Sequence, residues 1–407
     1  MQIQEKAHRI LQQPVCDNCL GRQFAQLLSG LTNKERGRLL RTLIAMSADK
    51  EHYEGDIDLH NFHGFKFHKL EPKSALERKK CHVCEGVFDN LDKLADKIAA
   101  AGKKIDFSTF LVGTKLSFDL ISREENLWER VGIDYCEPLK AELNREIGKL
   151  VEKRTRTKFH SRPDVNFLVE IPSGSVSIQT NPLFIYGEYQ KLVRGIPQTR
   201  WPSKKFKTSI EEIMAAPFMK ATAGAGHKLH GLGREDIDAR CLGWRPFVLE
   251  ILEPKKRLLK LSQLTKKVGK GIKVRNLRPS NIEEVRRIKE ERAEKSYLAV
   301  VVCEGMAKKD LGKLKQLVGE IKQKTPERVL HRRADKFRHR KLKSLKTKFI
   351  NSKKFMLEVR GEAGLYVKEL VSGDNGRTVP SVSSVLGQAC LCKELDVIAI
   401  HHAKAKK

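Results

Sequence analysis

The middle of the chain reads Gly233-Arg234-Glu235-Asp236-Ile237-Asp238-Ala239-Arg240, and Arg245-Pro246-Phe247-Val248-Leu249-Glu250-Ile251 follows closely. A glycine-flanked turn with three carboxylates thus leads into a strongly apolar strand. A turn that is held against a strand can fix a carboxylate where a substrate reaches it. The simpler alternative is a solvated turn whose acids and arginines pair with one another, because short motifs often match by chance.

The composition is that of a globular and strongly basic protein. The chain has 407 residues, of which 40% are hydrophobic, enough for two or three domains with cores of their own. Lys and Arg number 80 against 50 Asp and Glu, which gives a formal net charge of +30. Such an excess attracts polyanions, usually nucleic acid, with an anionic membrane as the competing partner. The sequence has no apolar run of about 18 residues and no signal-peptide pattern, so we expect a cytoplasmic protein without a membrane segment.

Two matching cysteine motifs lie in the N-terminal part of the chain. They are Cys16-Asp17-Asn18-Cys19-Leu20-Gly21 and Cys81-His82-Val83-Cys84-Glu85-Gly86. Two thiolates at this spacing can bind one ion, and the glycine lets the backbone fold behind the sulfurs. We therefore expect one structural zinc ion per chain on Cys16, Cys19, Cys81 and Cys84, because four thiolates leave no open coordination position. Four buried or redox-active thiols are the alternative.

The hydrophobic pattern predicts an α+β fold. Its second half is mostly strands with a few helices, which predicts one large mixed sheet. We place a domain boundary near residues 158–163, which gives domains of residues 1–162 and 163–407. The predicted helices cover residues 91–98, 139–151 and 311–321, and the predicted strands cover residues 107–112, 165–171, 176–178, 183–185, 247–252, 297–303, 355–360 and 397–400.

Two basic stretches interrupt the second domain. Lys255 to Arg278 contains ten Lys/Arg and no acid, and Lys324 to Lys348 contains eleven Lys/Arg against two acids. Dense runs of one sign neutralise phosphates, so we expect loops that contact RNA, with a solvated face as the alternative. Aromatic residues make up only 6% of the chain, which disfavours stacking on many successive bases. Recognition of a folded RNA by its shape and backbone is favoured instead.

Three segments of this domain carry candidate catalytic side chains. They are Gly233-Arg234-Glu235-Asp236, Lys295-Ser296-Tyr297-Leu298-Ala299-Val300-Val301, and Gly364-Leu365-Tyr366-Val367-Lys368-Glu369-Leu370, the last followed by Ser372-Gly373-Asp374-Asn375-Gly376-Arg377-Thr378. Taken singly, Tyr297 is typical of a packed strand aromatic and Lys368 of a surface lysine. Taken together, the segments resemble the three signature motifs of the pseudouridine synthases.

With the cysteine motifs, the resemblance narrows to one family. The chain is similar to the archaeal and eukaryotic tRNA pseudouridine synthase that carries a zinc site and a THUMP domain and acts on the T-arm. Residues 182–187, 194–199 and 328–335 also resemble that family. The resemblance spans nearly the whole chain, from Cys16 to about Leu386.

The resemblance implies a fold and an activity. The fold is an N-terminal zinc-binding and THUMP-containing α+β domain, followed by a catalytic domain built on a large mixed, mainly antiparallel sheet. The activity is isomerisation of uridine to pseudouridine at T-arm positions 54 and 55 of tRNA. We expect a monomer that needs no organic cofactor.

The resemblance also implies roles for particular residues. Asp236 would be the nucleophile, attacking either the base or the sugar carbon, and Lys368 the cation that favours its ionised form. Tyr297 would stack on the flipped uracil and assist proton removal from C5, and Arg234 would fill the gap that the nucleotide leaves. Asp238 is the rival nucleophile, because an extended segment aims both aspartates to the same side. Contacts to RNA are further expected from Arg240, Tyr366, Lys266, Lys267, Lys270, Arg332 and Arg333.

Two other classes of function stay open from the sequence. A THUMP-type RNA methyltransferase or thiolation enzyme needs a nucleotide-binding loop, and Gly224-Ala225-Gly226 with Gly231 gives only a loose glycine pattern. A non-enzymatic RNA-binding protein accounts for the charge and the cysteines but not for the three ordered motifs.

Overall fold

The computed structural model describes residues 1–50, 56–70, 76–201, 203 and 205–402, with only the backbone of Arg332. These residues divide into two compact units, Met1–Asn181 and Pro182–Lys407. The division corrects the boundary predicted between residues 162 and 163. After this position, the strand Val165–Ile171 pairs with the strand Thr109–Leu116 of the first unit, and Val176–Thr180 pairs in turn with Val165–Ile171, so both belong to the sheet of that unit.

The first unit packs helices against a four-stranded sheet. The helices are α1 (Ile3–Ile10), α2 (Asp17–Gly21), α3 (Asn33–Lys50), α4 (Leu91–Gly102), α5 (Phe118–Val131) and α6 (Leu139–Thr155), and short 3-10 helices cover Arg22–Phe24, Leu59–Phe62 and Val87–Asn90. The strands are β1 (Thr109–Leu116), β2 (Lys158–Phe159), β3 (Val165–Ile171) and β4 (Val176–Thr180), in the order β2-β1-β3-β4. Alternate residues of β3 are buried, and α6 buries one stripe at helical spacing, so both elements contribute to one apolar core.

The second unit is built on a large sheet. Its strands are β5 (Leu183–Lys191), β6 (Gly226–Gly231), β7 (Arg240–Leu252), β8 (Ile272–Ser280), β9 (Glu294–Cys303), β10 (Gly319–Lys324), β11 (Phe337–Asn351), β12 (Lys354–Gly361), β13 (Thr378–Val379) and β14 (Cys390–His401). Its helices are α7 (Ile210–Thr222), α8 (Leu261–Thr265), α9 (Ile282–Glu290), α10 (Val367–Ser372) and α11 (Val382–Leu386), with 3-10 helices at Lys308–Leu317 and Glu327–Arg332.

The sheet order is β13-β10-β11-β12-β9-β14-β7-β5-β8, and β6 pairs with β7. In the described part of the chain, the β14–β7 pair is parallel and every other pair of this sheet is antiparallel. The predicted α+β class with a large mixed, mainly antiparallel sheet is therefore confirmed.

The helix predicted over residues 311–321 is wrong in its last part. The 3-10 helix ends at Leu317, and β10 begins at Gly319, whose φ of 141° leaves the helical region. Within β10, Ile321 and Gln323 are buried while their neighbours face outwards, which is the alternation of a strand. None of the helices in the described ranges combines the length and hydropathy that a membrane crossing requires.

Candidate active site and metal site

A buried ion pair anchors the turn between β6 and β7. Glu235 and Arg245 lie 3.0 Å apart, with side chains 1% and 0% exposed. Tyr189 adds its hydroxyl, 3.3 Å from both carboxylate oxygens of Glu235. Removing one partner of a buried ion pair is costly, because it leaves the other charge buried and unpaired. The turn is therefore fixed by the residue directly before Asp236, and Asp236 itself is left to face the cleft.

Three side chains hold the backbone carbonyls of the same turn. Lys191 donates to the carbonyl of Ile237 at 2.8 Å, and Arg194 donates to the carbonyl of Asp238 at 2.9 Å. Gln198 donates to the carbonyl of Gly233 at 3.1 Å. Burial lowers the pKa of Lys191 below its ordinary value, with the nearby carboxylates acting in the opposite direction. These contacts fix the turn from its N-terminal to its C-terminal end.

The carboxylate of Asp236 lies between two cations. Arg328 places Nη2 3.2 Å from Oδ2 and Nη1 3.3 Å from Oδ1. Lys368 places Nζ 3.4 Å from Oδ2. The Asp236 side chain is 33% exposed, so it remains accessible from the solvent. The predicted meeting of Asp236 and Lys368 is thus present, together with a second cation that the sequence did not single out.

Lys368 contacts Asp238 more closely than Asp236. Its Nζ lies 2.7 and 2.8 Å from the two oxygens of Asp238. Burial raises the pKa of Asp238, but the hydrogen bonds and charge of Lys368 outweigh it and hold the pKa below its ordinary value. Both carboxylates are ion-paired, but the Asp238 side chain is 68% exposed and the Asp236 side chain only 33%. The two aspartates, which spacing alone did not separate, therefore have different surroundings.

Residues of all three motifs line one central cleft of about 510 Å³. Tyr297, on β9, belongs to it, and burial raises the pKa of its phenol to about 12. Arg333 donates to the hydroxyl of Tyr366 at 2.8 Å, so two residues predicted to contact RNA lie together. Arg234 is exposed in the wall of the cleft. The candidate residues that line the central cleft are Arg234, Asp236, Tyr297, Arg333, Tyr366 and Lys368.

Other predicted contacts lie away from the central cleft. Arg240 is held by Asp396, with nitrogen–oxygen distances of 2.6 and 3.0 Å. The side chain of Arg332 falls outside the described residues. Lys266, Lys267 and Lys270 are exposed between α8 and β8 and do not line the central cleft. The basic run that contains Arg332 was expected to form loops, but much of it is the 15-residue strand β11.

Sequence reasoning did not assign Arg328, Glu369 or Lys295 to the site. Arg328 bridges Asp236 and Glu369, with 2.6 Å between its Nε and a carboxylate oxygen of Glu369. Burial lowers the pKa of Arg328, but the two carboxylates raise it above its ordinary value on balance. Lys295 also lines the cleft. Its side chain is buried, and this burial lowers its pKa to about 8. Two sequence signals could have found two of them. Arg328 lies in a segment that resembled the family, and Lys295 lies two residues before Tyr297.

In the first unit, the four predicted cysteines meet. The sulfurs of Cys16, Cys19, Cys81 and Cys84 lie within 4.8 Å of one another. Arg22 is fully buried beside them and donates to Sγ of Cys19 at 2.7 Å, while Glu124 holds Arg22 at 3.0 Å. Four converging sulfurs match the donor set that binds zinc, and an arginine on one of them offsets the negative charge of thiolates.

The two glycines of the cysteine motifs serve different purposes. Gly86 has a φ of +80°, which favours glycine and matches the expected turn behind the sulfurs. Gly21 has ordinary helical geometry, and a Cβ there would lie 1.8 Å from the carbonyl oxygen of Asn33. Gly21 is therefore needed for the close approach of α2 and α3, and not for a turn.

Comparisons with known proteins identify the family of the chain. The family model for the C-terminal domain of Pus10 matches residues 184–401, and the archaeal Pus10 THUMP domain model matches residues 94–170. The tRNA pseudouridine synthase Pus10 of Pyrococcus furiosus is 41% identical and covers 98% of both chains. The Pus10 proteins of Methanothrix thermoacetophila and Methanocaldococcus jannaschii are 38% and 39% identical, covering 95% of this chain and 92% of theirs.

A more distant likeness exists among solved structures. The crystal structure of a Cbf5-Nop10-Gar1 complex covers 51% of this chain and 47% of its own at 19% identity, with a TM-score of 0.32. The assignment rests instead on the family models and on the identity over nearly the full length. The chain belongs to the Pus10 family of tRNA pseudouridine synthases, which are isomerases.

Proposed function

We propose that this chain isomerises uridine to pseudouridine at T-arm positions 54 and 55 of tRNA, with Asp236 as the nucleophile. The observation that carries the proposal is the setting of Asp236. Its carboxylate projects into the central cleft from a turn that buried side chains fix, and Arg328 and Lys368 lie within 3.4 Å of it. A preorganised charged group of this kind favours a transition state over a ground state.

The reaction is an internal rearrangement of one nucleotide. The bond between N1 of uracil and C1′ of ribose breaks, the base rotates, and a bond between C5 and C1′ forms. The proton on C5 leaves, and N1 gains one, so the product is an isomer of the substrate. Asp236 attacks either C1′ or the base, and both routes need an ionised oxygen in contact with the nucleotide.

The other cleft residues have complementary roles in this scheme. The target base must leave its stack to reach Asp236, and Arg234 fills the space that it vacates. Tyr297 stacks on the uracil, because an aromatic ring packs against a base. A phenol whose pKa is about 12 stays protonated near neutral pH, so we do not assign it the removal of the C5 proton. Arg333 and Tyr366 bind the RNA beside the target nucleotide.

The positive charge of the chain, as well as its family, favours tRNA as the substrate. Lys266, Lys267 and Lys270 carry exposed ammonium groups that neutralise phosphates outside the cleft. Arg240 is held by Asp396, so we assign it to the support of the turn between β6 and β7 more than to RNA. The enzyme would meet tRNA in the cytoplasm, as a monomer and without an organic cofactor.

The proposal includes a structural zinc site at the four-cysteine group of the first unit. Cys16, Cys19, Cys81 and Cys84 hold one zinc ion, whose four thiolate ligands leave no position for a substrate. The ion therefore supplies folding free energy to the first unit and takes no part in the chemistry of the cleft. Elemental analysis of freshly purified protein should find one zinc per chain, and protein without bound metal would contradict this part.

Tritium release tests the activity. A tRNA transcript labelled at C5 of uridine loses tritium when the C5–C1′ bond forms, and a methyltransferase acting elsewhere or a binding protein releases none. Product mapping should then place pseudouridine at positions 54 and 55. Product found only in the anticodon arm or the D-arm would overturn the substrate assignment and leave the isomerase standing.

A further inference from the structure

Phe337 presents an apolar ring to solvent on a strongly basic surface. It is the first residue of β11, its side chain is 58% exposed, and it lies in a run with eleven Lys/Arg. An aromatic ring that is mostly outside the core contributes little to folding through burial. Its exposure among cations points to a contact with another molecule.

The neighbouring strand places two ammonium groups over this ring. Lys324 is the direct partner of Phe337 in the antiparallel β10–β11 pair, and Lys322 is the partner of His339. Their Nζ atoms lie 5.5 Å and 4.7 Å from the centroid of the ring. Lys324 also pairs with Asp335 at 2.9 Å, whereas Lys322 has no carboxylate partner among the residues that the structure describes. Phe337 is therefore an aromatic surface with at least one cation available to a ligand.

The other face of the same strands supports the central cleft. Gln323 points away from Phe337, because successive residues of a strand face opposite sides. Its amide exchanges two hydrogen bonds of 2.9 Å with the backbone of Tyr366, which lines the cleft. The ring of Phe337 and the contact between Gln323 and the cleft wall thus lie on opposite faces of the β10–β11 pair. Arg328 and Arg333 lie between these two strands and line the cleft, so Phe337 follows the cleft wall closely along the chain.

We propose that Phe337 stacks on an unpaired base of the RNA substrate outside the central cleft, while Lys322 binds an adjacent phosphate. The inference rests on the proposed RNA substrate and adds a second contact to it. Every base has a π-face, so the contact needs no particular sequence. A protein partner is disfavoured because a stable interface buries roughly 1,000 Å² or more, and one ring between lysines offers much less.

Salt dependence separates the two contacts. Stacking releases no counterions, so Phe337→Ala should weaken tRNA binding by about the same factor, roughly tenfold, at every salt concentration. Lys322→Gln should instead reduce the slope of log Kd against log salt by about one unit. Phe337→Trp should bind at least as tightly as the wild type, and Phe337→Leu should bind as weakly as Phe337→Ala, because leucine has no π-system.

A matched control is Leu391→Ala, which removes an apolar side chain that is 65% exposed elsewhere on the second unit. It should leave tRNA affinity unchanged. A loss in Phe337→Ala no larger than in this control, or full affinity in Phe337→Leu, would overturn the stacking proposal. If the wild type converts tRNA while all Phe337 variants bind normally, only this inference fails. If the wild type neither binds nor converts tRNA, the proposed function fails with it.

Discussion

Arg328 contacts Asp236 directly in the central cleft, with two guanidinium nitrogens 3.2 and 3.3 Å from the two carboxylate oxygens. On its other side, Arg328 binds Glu369, whose side chain is 5% exposed, at 2.6 Å. Because Glu369 fixes the guanidinium, the position of Arg328 does not depend on the substrate. The pair therefore provides a preorganised cation at the proposed nucleophile.

Removing this cation should lower the rate of the chemical step. We expect Arg328→Met to reduce the single-turnover rate of tritium release by about 10²- to 10³-fold, the usual cost of losing a preorganised donor at an active site. tRNA affinity should change by less than about threefold, because the lost contact acts mainly in the transition state. Arg286→Met, an exposed arginine of α9, is the control and should keep full activity. Equal rates in both variants would remove Arg328 from the mechanism.

The buried amine of Lys295 should make stability depend on pH. Burial lowers its pKa from the ordinary 10.5 to about 8 in the folded chain. Between these values the unfolded chain holds more protons, so the free energy of unfolding rises with pH in this window. From pH 8 to pH 10 the contribution is about 2 kcal/mol.

Lys295→Met isolates that contribution, since cysteines and tyrosines titrate alike in both proteins. Denaturant unfolding at pH 8 and pH 10 should show a smaller rise, or a larger fall, in the variant than in the wild type. Parallel pH profiles would mean that the folded chain holds Lys295 in its ordinary protonation state.

Arg22 should tune metal binding in the first unit. Its guanidinium donates to Sγ of Cys19 at 2.7 Å and is fully buried. Loss of a hydrogen bond to a ligand atom typically costs 10- to 100-fold in metal affinity, so we expect this effect in Arg22→Gln, measured by competition with a chelator. Cys84→Ser should abolish tight binding, whereas Cys136→Ser, a buried cysteine outside the cluster, should retain it. Unchanged affinity in Arg22→Gln would limit this arginine to packing.

The lysines between α8 and β8 should contribute to the salt dependence of RNA binding. Changing Lys266, Lys267 and Lys270 to Gln should weaken tRNA binding and reduce the slope of log Kd against log salt by about one unit per lost phosphate contact. The same three-charge loss at Lys308, Lys309 and Lys315, exposed on a 3-10 helix, is the control. If the two triple variants have equal slopes, the lysines after α8 act only through net charge.

Much of the site was predictable because its chemistry lies within short segments. The cysteine spacing predicted the four-sulfur cluster, and the motifs around Asp236, Tyr297 and Lys368 predicted residues that line one cleft. Arg328, which was missed as a partner, lies 92 residues from Asp236 and on a 3-10 helix. The resemblance implied a partner role for Lys368 but none for Arg328, and no local pattern in residues 328–335 shows which side chain the fold brings to Asp236.

The errors in the fold have the same origin. The apolar residues at 311, 314, 317, 318 and 321 fit a helical period, yet Ile321 lies on β10 and pairs with β11. The boundary was predicted near residues 158–163, whereas β3 joins the first unit through its pairing with β1. In both cases long-range strand pairing outweighed the local signal.

The two aspartates of the turn give the most direct test of the mechanism. Asparagine keeps the shape of aspartate without its charge, so Asp236→Asn should abolish tritium release from tRNA while tRNA affinity stays within about threefold. Asp238→Asn should retain measurable release, because Asp238 is an exposed partner of Lys368. An active Asp236→Asn enzyme beside an inactive Asp238→Asn enzyme would contradict the assignment of the nucleophile, and normal release by both would contradict an aspartate mechanism at this turn.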